Sequence, residues 1–276
     1  MNKRVEYYYL PKNYHRTHDY CEFVIFQIED FITQKKFDEL RVQTIKYSTD
    51  VGEKLAAHKG HIFDFLEENG MQEDLNKIVG SNLLNSLIME SCYFLQEGYL
   101  CSLKQRLSVA FTLFRKPFFE ILIIQLRLLV EDDFLNRFNN EANFNPISLS
   151  ASEKKEYLEI VNILLNNLYD TTDLYDYLFD KGYDDNIYNI GNTAIHLYTG
   201  NNPVIKTEKQ NLNFIFSGKK EIQSQWEYIY TIMPMLLTFF ADLTELNVLK
   251  YTSVSDNVFN KRIADRYRMK KRFRIE

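Results

Sequence analysis

Cysteine is scarce and scattered: Cys21, Cys92 and Cys101 are the three in 276 residues. An odd number with no close-spaced pair is neither a disulfide framework nor a zinc pattern, and it points to a reducing cytoplasm. Glycine and proline are also few, at 9 and 5. So small a supply of turn residues argues against a many-stranded sandwich or barrel and favours long uninterrupted elements. The glycines are dispersed and no GK[ST] occurs, so a phosphate-cradling loop is missing. A nucleophile elbow and a CxxC pair are missing too. Nucleotide hydrolysis and acyl transfer by the usual scaffolds thereby lose their residues, and no cofactor is implied. Long apolar runs are lacking as well. "EILIIQLRLLVEDD", from Glu120, is broken by Arg127, and "YIYTIMPMLLTFFA" (228–241) is charge-free for 14 residues. A bilayer needs roughly 20, so both read as buried core helices and no membrane partner is expected. The N-terminus has the positive start of a signal peptide without the apolar stretch behind it.

What the chain does have is apolar and aromatic mass: 45% hydrophobic residues, with 21 Phe and 19 Tyr. That is ample for a core, although abundant Asn, Lys, Ile, Tyr and Phe also fit an AT-rich genome. The apolar residues recur at three- and four-residue steps, the period of an amphipathic helix. From about Tyr20 to Lys46 such a face consists of Phe23, Phe26, Ile28, Phe31 and Ile32. Ser81 is a plausible N-cap for a helix running to Gly98. The longest helical pattern covers 100–138, with Leu103, Leu107, Ala110, Phe114, Phe118, Ile121, Gln125 and Leu128 in register. Pro117 should kink it or divide it in two. An Asn- and Ser-rich linker follows, and Ser152 can cap the next helix. A last long helix spans roughly 220–250 and bends at Pro234. The expected fold is all-α, a bundle of eight to ten helices with one long kinked central helix and a small extended excursion near 203–217. Three segments suggest themselves: 1–80 packing on the core, a helical core at 81–250, and a basic tail at 251–276.

Charge is unevenly spread. The net charge is −5, yet Lys261 to Glu276 carry eight basic residues against Asp265 and Glu276, leaving 25 basic and 36 acidic residues for the rest. The eight are Lys261, Arg262, Arg266, Arg268, Lys270, Lys271, Arg272 and Arg274. Such a tail either packs on the body's own acidic face or meets an external polyanion, RNA or an acidic protein.

Histidines fall in three places. His15 and His18 lie in an irregular N-terminal segment, with Asp19 beside them. His58, His61 and Asp64 run at i, i+3, i+6, so a helix could bring them to one metal, although Gly60 weakens that helix; a partly exposed polar face is the plainer reading. His196 follows Asn192 by one turn and is flanked by Ile195 and Leu197. It can serve as a general base or as a structural histidine bridging helices. Lys116, Glu120 and Arg127 share one face of the long pattern, either as an exposed strip or as a buried polar network that reaches His196.

Around "LFRKPFFEILIIQLRLLVEDDFLNRF", "NTAIHLYTGNNPVIKTEKQNLNFIFS" and "YIYTIMPMLLTFFADLTE" the chain resembles uncharacterised bacterial all-helical proteins and, more distantly, the HEPN-like superfamily. The likeness covers roughly residues 80–250. It implies a bacterial defence or toxin–antitoxin setting, in which some members are ribonucleases and others non-catalytic binding modules. Active members carry an arginine four to six positions before a histidine. No histidine here has one at that interval. Only a displaced set could replace it: His196 and Asn192, with Arg115 or Arg127 and Glu120 from the long helix. Two expectations follow. The first is a non-catalytic binding or regulatory module, cytoplasmic and dimeric. The alternative is an atypical ribonuclease with His196 as general base.

Overall fold

The computed structural model describes residues 6–198, 212–213 and 217–275. Along them run α1 (His15–Thr33), α2 (Thr49–Ala57), α3 (Ile62–Glu68), α4 (Gln72–Leu103), α5 (Leu107–Arg115), α6 (Leu122–Val130) and α7 (Phe134–Asn140). After these come α8 (Ala151–Leu164), α9 (Thr171–Leu178), α10 (Ile187–Ile195), α11 (Lys219–Thr231), α12 (Met233–Tyr251) and α13 (Asp256–Phe273). The chain is 74% helical and has no strand among the described residues, so the all-α class stands. The extended excursion expected near 203–217 lies outside the described residues, apart from Leu212, Asn213 and Ser217.

In α1 the buried face is Tyr20, Cys21, Val24, Ile25, Ile28 and Phe31. It is rotated from the expected one: Phe23 and Ile32 are half-buried flanks and Phe26 is exposed. The helical period holds and the phase differs, because the large aromatics Phe23 and Phe26 lie off the buried face. α4 has 32 residues, and it runs straight through Gly80 and Gly98. Neither glycine is a boundary. A Cβ at Gly98 would lie 2.5 Å from Phe114 Cε1, and one at Gly80 would overlap the Tyr251 ring. Both therefore admit a neighbouring aromatic ring. Ser81 is no cap either, since its hydroxyl donates to Ile78 O inside the helix.

The helical pattern over 100–138, expected to kink or divide at Pro117, is divided more than once. Gln105 takes a left-handed conformation (φ 57°), while Arg106 N–H bonds Cys101 O and Gln105 N–H bonds Ser102 O. That pair of bonds is a Schellman ending, achieved without glycine. At Pro117 the helix widens into one π turn, Lys116–Ile121, before continuing as α6. The wider turn accommodates a residue that has no backbone N–H. Along α5, the π turn and α6, Phe114, Phe118, Ile121, Leu122 and Leu126 are buried. Gln125, the one polar member of the stripe, accepts from Thr244 Oγ1 at 3.0 Å and its carbonyl accepts from Asn247 Nδ2 at 3.1 Å. The α8 cap is Ser150 rather than Ser152, with Glu153 completing a capping box.

α11 and α12 form one helix from Lys219 to Tyr251, bent by 32° where Pro234 enters. This is the long kinked helix of the bundle. By length and composition it could cross a membrane, but 72% of its apolar window is buried inside the protein. α1, α4, α6 and α13 all pack against α12. Among the described residues the main hydrophobic core extends from Leu10 to Phe259 and draws side chains from all three sequence segments. A small satellite cluster, Phe65, Leu66 and Leu75, closes the α2–α3 region onto the start of α4.

Candidate functional site

α13 is strongly polar, and the eight basic residues of the terminus, seven in α13 and Arg274 just after it, divide into two groups. Arg262 and Arg266 are buried. Arg266 donates from Nη1 to Gln27 Oε1 and Glu245 Oε1, both at 2.8 Å, and from Nη2 to Glu245 Oε2 at 2.7 Å and to Asp242 Oδ1. Arg262 donates to Glu245 Oε1 at 2.8 Å, Asp30 Oδ2 at 3.2 Å and Gln27 O at 2.5 Å. Its guanidinium also lies 4.3 Å from the Phe31 ring centroid. Tyr169 caps the network by donating to Asp242 Oδ2 at 2.5 Å. Burial works against charge on Arg266, yet Glu245 and Asp242 outweigh it and hold the guanidinium protonated, its pKa above the ordinary value. Burial pushes the Asp242 carboxyl up, with Arg266 opposing. These two arginines are the helix's anchor and offer nothing to an external phosphate, which corrects the expectation for Arg262 and Arg266.

The other group faces outward. Lys261, Arg268, Lys271, Arg272 and Arg274 are exposed and Lys270 is half-buried. Lys261, Ala264, Tyr267, Arg268, Lys271 and Arg272 repeat at helical spacing on the open face, and Tyr267 is 71% exposed. Arg268 is paired with Asp265. Lys270, Lys271 and Arg272 occupy the last turn, where cations complement the negative end of the helix dipole.

The set built around His196 does not assemble as one site. His196 is the exposed C-cap of α10; its N–H donates to Asn192 O at 2.9 Å and its carbonyl accepts from Asn213 Nδ2 at 2.7 Å. Arg127 is 3% exposed and fully engaged elsewhere. It donates to Glu131 from Nε at 2.7 Å and from Nη2 at 3.0 Å, and to the carbonyls of Asn145 and Pro146 at 2.9 and 3.2 Å. Its role is to hold the 141–150 linker against α6. Glu120 is half-buried on the π turn, and Lys116 pairs with Glu90 of α4 instead of Glu120. The widened turn at Pro117 shifts the helical phase, so a face drawn through it in sequence does not persist in space.

Arg115 and Asn192 do come together, around Tyr188. The Arg115 Cζ lies 4.9 Å from the Tyr188 ring centroid and Lys181 Nζ lies 4.7 Å from it. Gly191 makes room for the arginine: a Cβ there would be 3.0 Å from Arg115 Cβ. The Asn192 side chain, then Lys181 and Arg115, pull the Tyr188 phenol below its ordinary pKa against the effect of burial. No spacing in the sequence joins Tyr188 and Lys181 to Arg115, since the cluster is drawn from separate elements.

His58 and His61 end one helix and begin the next. His58 follows α2 in an extended conformation and approaches His61 O at 3.2 Å, while His61 Nδ1 accepts Phe63 N–H at 3.2 Å as the α3 N-cap. The expected shared helical face for His58, His61 and Asp64 is therefore replaced by a four-residue break over 58–61, and no metal-competent cluster of three or more His, Cys, Asp or Glu occurs among the described residues. The His15 segment is helical rather than irregular. His18 is fully buried, with Nδ1 3.2 Å from the Tyr230 hydroxyl. Its Nε2 lies 3.3 Å from Glu22 Oε1 but off the line a hydrogen bond requires. Ser102 Oγ reaches the same Tyr230 hydroxyl at 3.1 Å. This buried chain ties α1 to α4 and α11.

Two surface cavities, of about 310 and 270 Å³, are lined by other residues, Glu73, Asp132 and Lys250 among the first and Glu22, Phe26 and Tyr99 among the second. Against protein-family models, curated proteins and solved structures, the chain finds no match.

Proposed function

We propose that this chain is a non-catalytic helical module that binds RNA through the outer face of α13, in a regulatory setting such as a bacterial defence or toxin–antitoxin system. The observation that carries the reading is the division of labour in α13. Two arginines lock the helix to Asp242 and Glu245, and the opposite face presents Lys261, Arg268, Lys271 and Arg272 around an exposed Tyr267. A cationic stripe holds a phosphate backbone, and an exposed aromatic ring offers a base a stacking surface. The dispersal of His196, Arg127 and Glu120 favours binding over the ribonuclease alternative.

The experiment is a salt titration of binding to a single-stranded RNA by fluorescence anisotropy. Wild type should lose affinity steeply as salt rises. Replacing Lys261, Arg268, Lys271 and Arg272 by serine should flatten the slope of log K against log salt by roughly three, at about 0.7 per lost phosphate contact on a single strand. Salt-insensitive binding, or an unchanged slope in the variant, would overturn the reading. Displacement of RNA by polyglutamate at equal charge would turn it toward an acidic protein.

A further inference from the structure

The cations around Tyr188 present a problem of charge. The chain as a whole is acidic, yet Arg115, Lys154 and Lys181 have no carboxylate within ion-pair distance among the described residues. They are drawn from α5, the start of α8 and the turn after α9. Arg115 and Lys181 each stand within 5 Å of the Tyr188 ring centroid. Lys154 Nζ is 5.8 Å from the Phe119 centroid and 5.3 Å from that of Phe179. The Phe119 and Tyr188 rings themselves touch, with centroids 4.6 Å apart.

Three separate elements thus deliver like charges to one pair of rings. Burial, and then the neighbouring Lys181, lower the pKa of the Lys154 ammonium. Arg115 Nε is buried and has no hydrogen-bond partner. Stacking on rings offsets part of the cost of gathering cations, but it brings no negative charge. An oxyanion supplies what is missing. Arginine and lysine donate charge-assisted hydrogen bonds to phosphate oxygens, and a phenol whose pKa is lowered is a strong donor to the same group.

We infer that Arg115, Lys154 and Lys181, with Tyr188 and Asn192 beside them, form a binding site for a multiply charged phosphoryl oxyanion. The site is separate from the outer face of α13 and does not depend on RNA binding there. Such a group could come from a free phosphate compound or from an RNA backbone.

Pyrophosphate titrated into the full chain by calorimetry is the test. Wild type and the α13 serine variant should bind pyrophosphate equally, and K154A/K181A should bind it at least about tenfold more weakly. Absence of binding up to about 10 mM pyrophosphate, or equal affinity in K154A/K181A, overturns the inference. Circular dichroism checks that the double variant is folded; if it is not, the exposed Lys181→Glu carries the same test alone. A short RNA offered to the α13 variant, with and without K154A/K181A, separates the two sources. Loss of residual RNA affinity on adding K154A/K181A identifies a backbone phosphate, and loss confined to pyrophosphate identifies a free compound.

Discussion

Arg266 is 2% exposed and sits between two carboxylates that are equally buried. The network around it has a price in desolvation, and its value lies in what happens when one partner is taken away. Arg266→Met would leave Glu245 with Arg262 alone and Asp242 with only the Tyr169 hydroxyl, both carboxylates still buried. We expect a loss of about 3–5 kcal/mol, read as a lowered urea midpoint. Arg266→Lys keeps the charge but cannot bridge Asp242, Glu245 and Gln27 at once, so it should fall between the two. The buried thiols give a second residue-scale prediction. Burial pushes Cys21 and Cys92 up from 9.0 to about 12. Below pH 9 both thiols are protonated whether the chain is folded or not, and their contribution to stability is fully present. Between 9 and 12 the unfolded chain releases those protons while the native chain keeps them, so stability falls as pH rises. Urea unfolding at about pH 8 and about pH 10.5 should show it; equal midpoints would contradict the burial of these thiols.

Helices here begin and end for reasons that depend on spatial neighbours as much as on local composition. Gly98 illustrates this. Gly→Ala inside a helix ordinarily gains up to about 1 kcal/mol of propensity. At Gly98 the new methyl would meet Phe114, which is fully buried and packed edge-to-face on Tyr99. Overpacking of a closed core costs about 1–3 kcal/mol, so Gly98→Ala should lower the melting temperature despite the better propensity. Combined with Phe114→Leu the loss should be less than additive, because the two changes share one contact. The same contact explains why the helical period was legible and the boundaries were not. Spacing of Leu84, Ile88, Leu95 and Leu103 announces a helix, whereas the ring that demands Gly98 sits sixteen positions away. Ser150 could have been found locally, since Ser150 and Glu153 stand at capping-box spacing; the turn at Gln105 could not, because glutamine carries no preference for a left-handed conformation.

At the scale of the whole molecule the basic terminus is at once a structural element and a candidate surface, and only half of that was readable. The excess of positive charge was visible, but which cations turn inward depended on acids some twenty positions earlier: Asp242 and Glu245, within an otherwise apolar stretch of α12. Their placement was itself a signal, since two carboxylates one turn apart amid Phe, Leu and Ala need buried partners. The candidate site around His196 was less legible, because its members belong to helices whose relative phase is set by the π turn at Pro117. This arrangement decides how the terminus must be tested. Removing residues 256–275 would strip Arg262 and Arg266 from the acids they neutralise and uncover the α1–α12 face that Phe259 covers. The shortened chain should lose several kcal/mol of stability, on the order of the Arg266 loss or more, so any lost RNA affinity would report unfolding as readily as a missing contact. Serine at Lys261, Arg268, Lys271 and Arg272 alters only exposed positions. That variant should keep its urea midpoint within about 1 kcal/mol of wild type while RNA affinity falls. A variant that lost both together would place the outer face of α13 in the fold rather than at an interface.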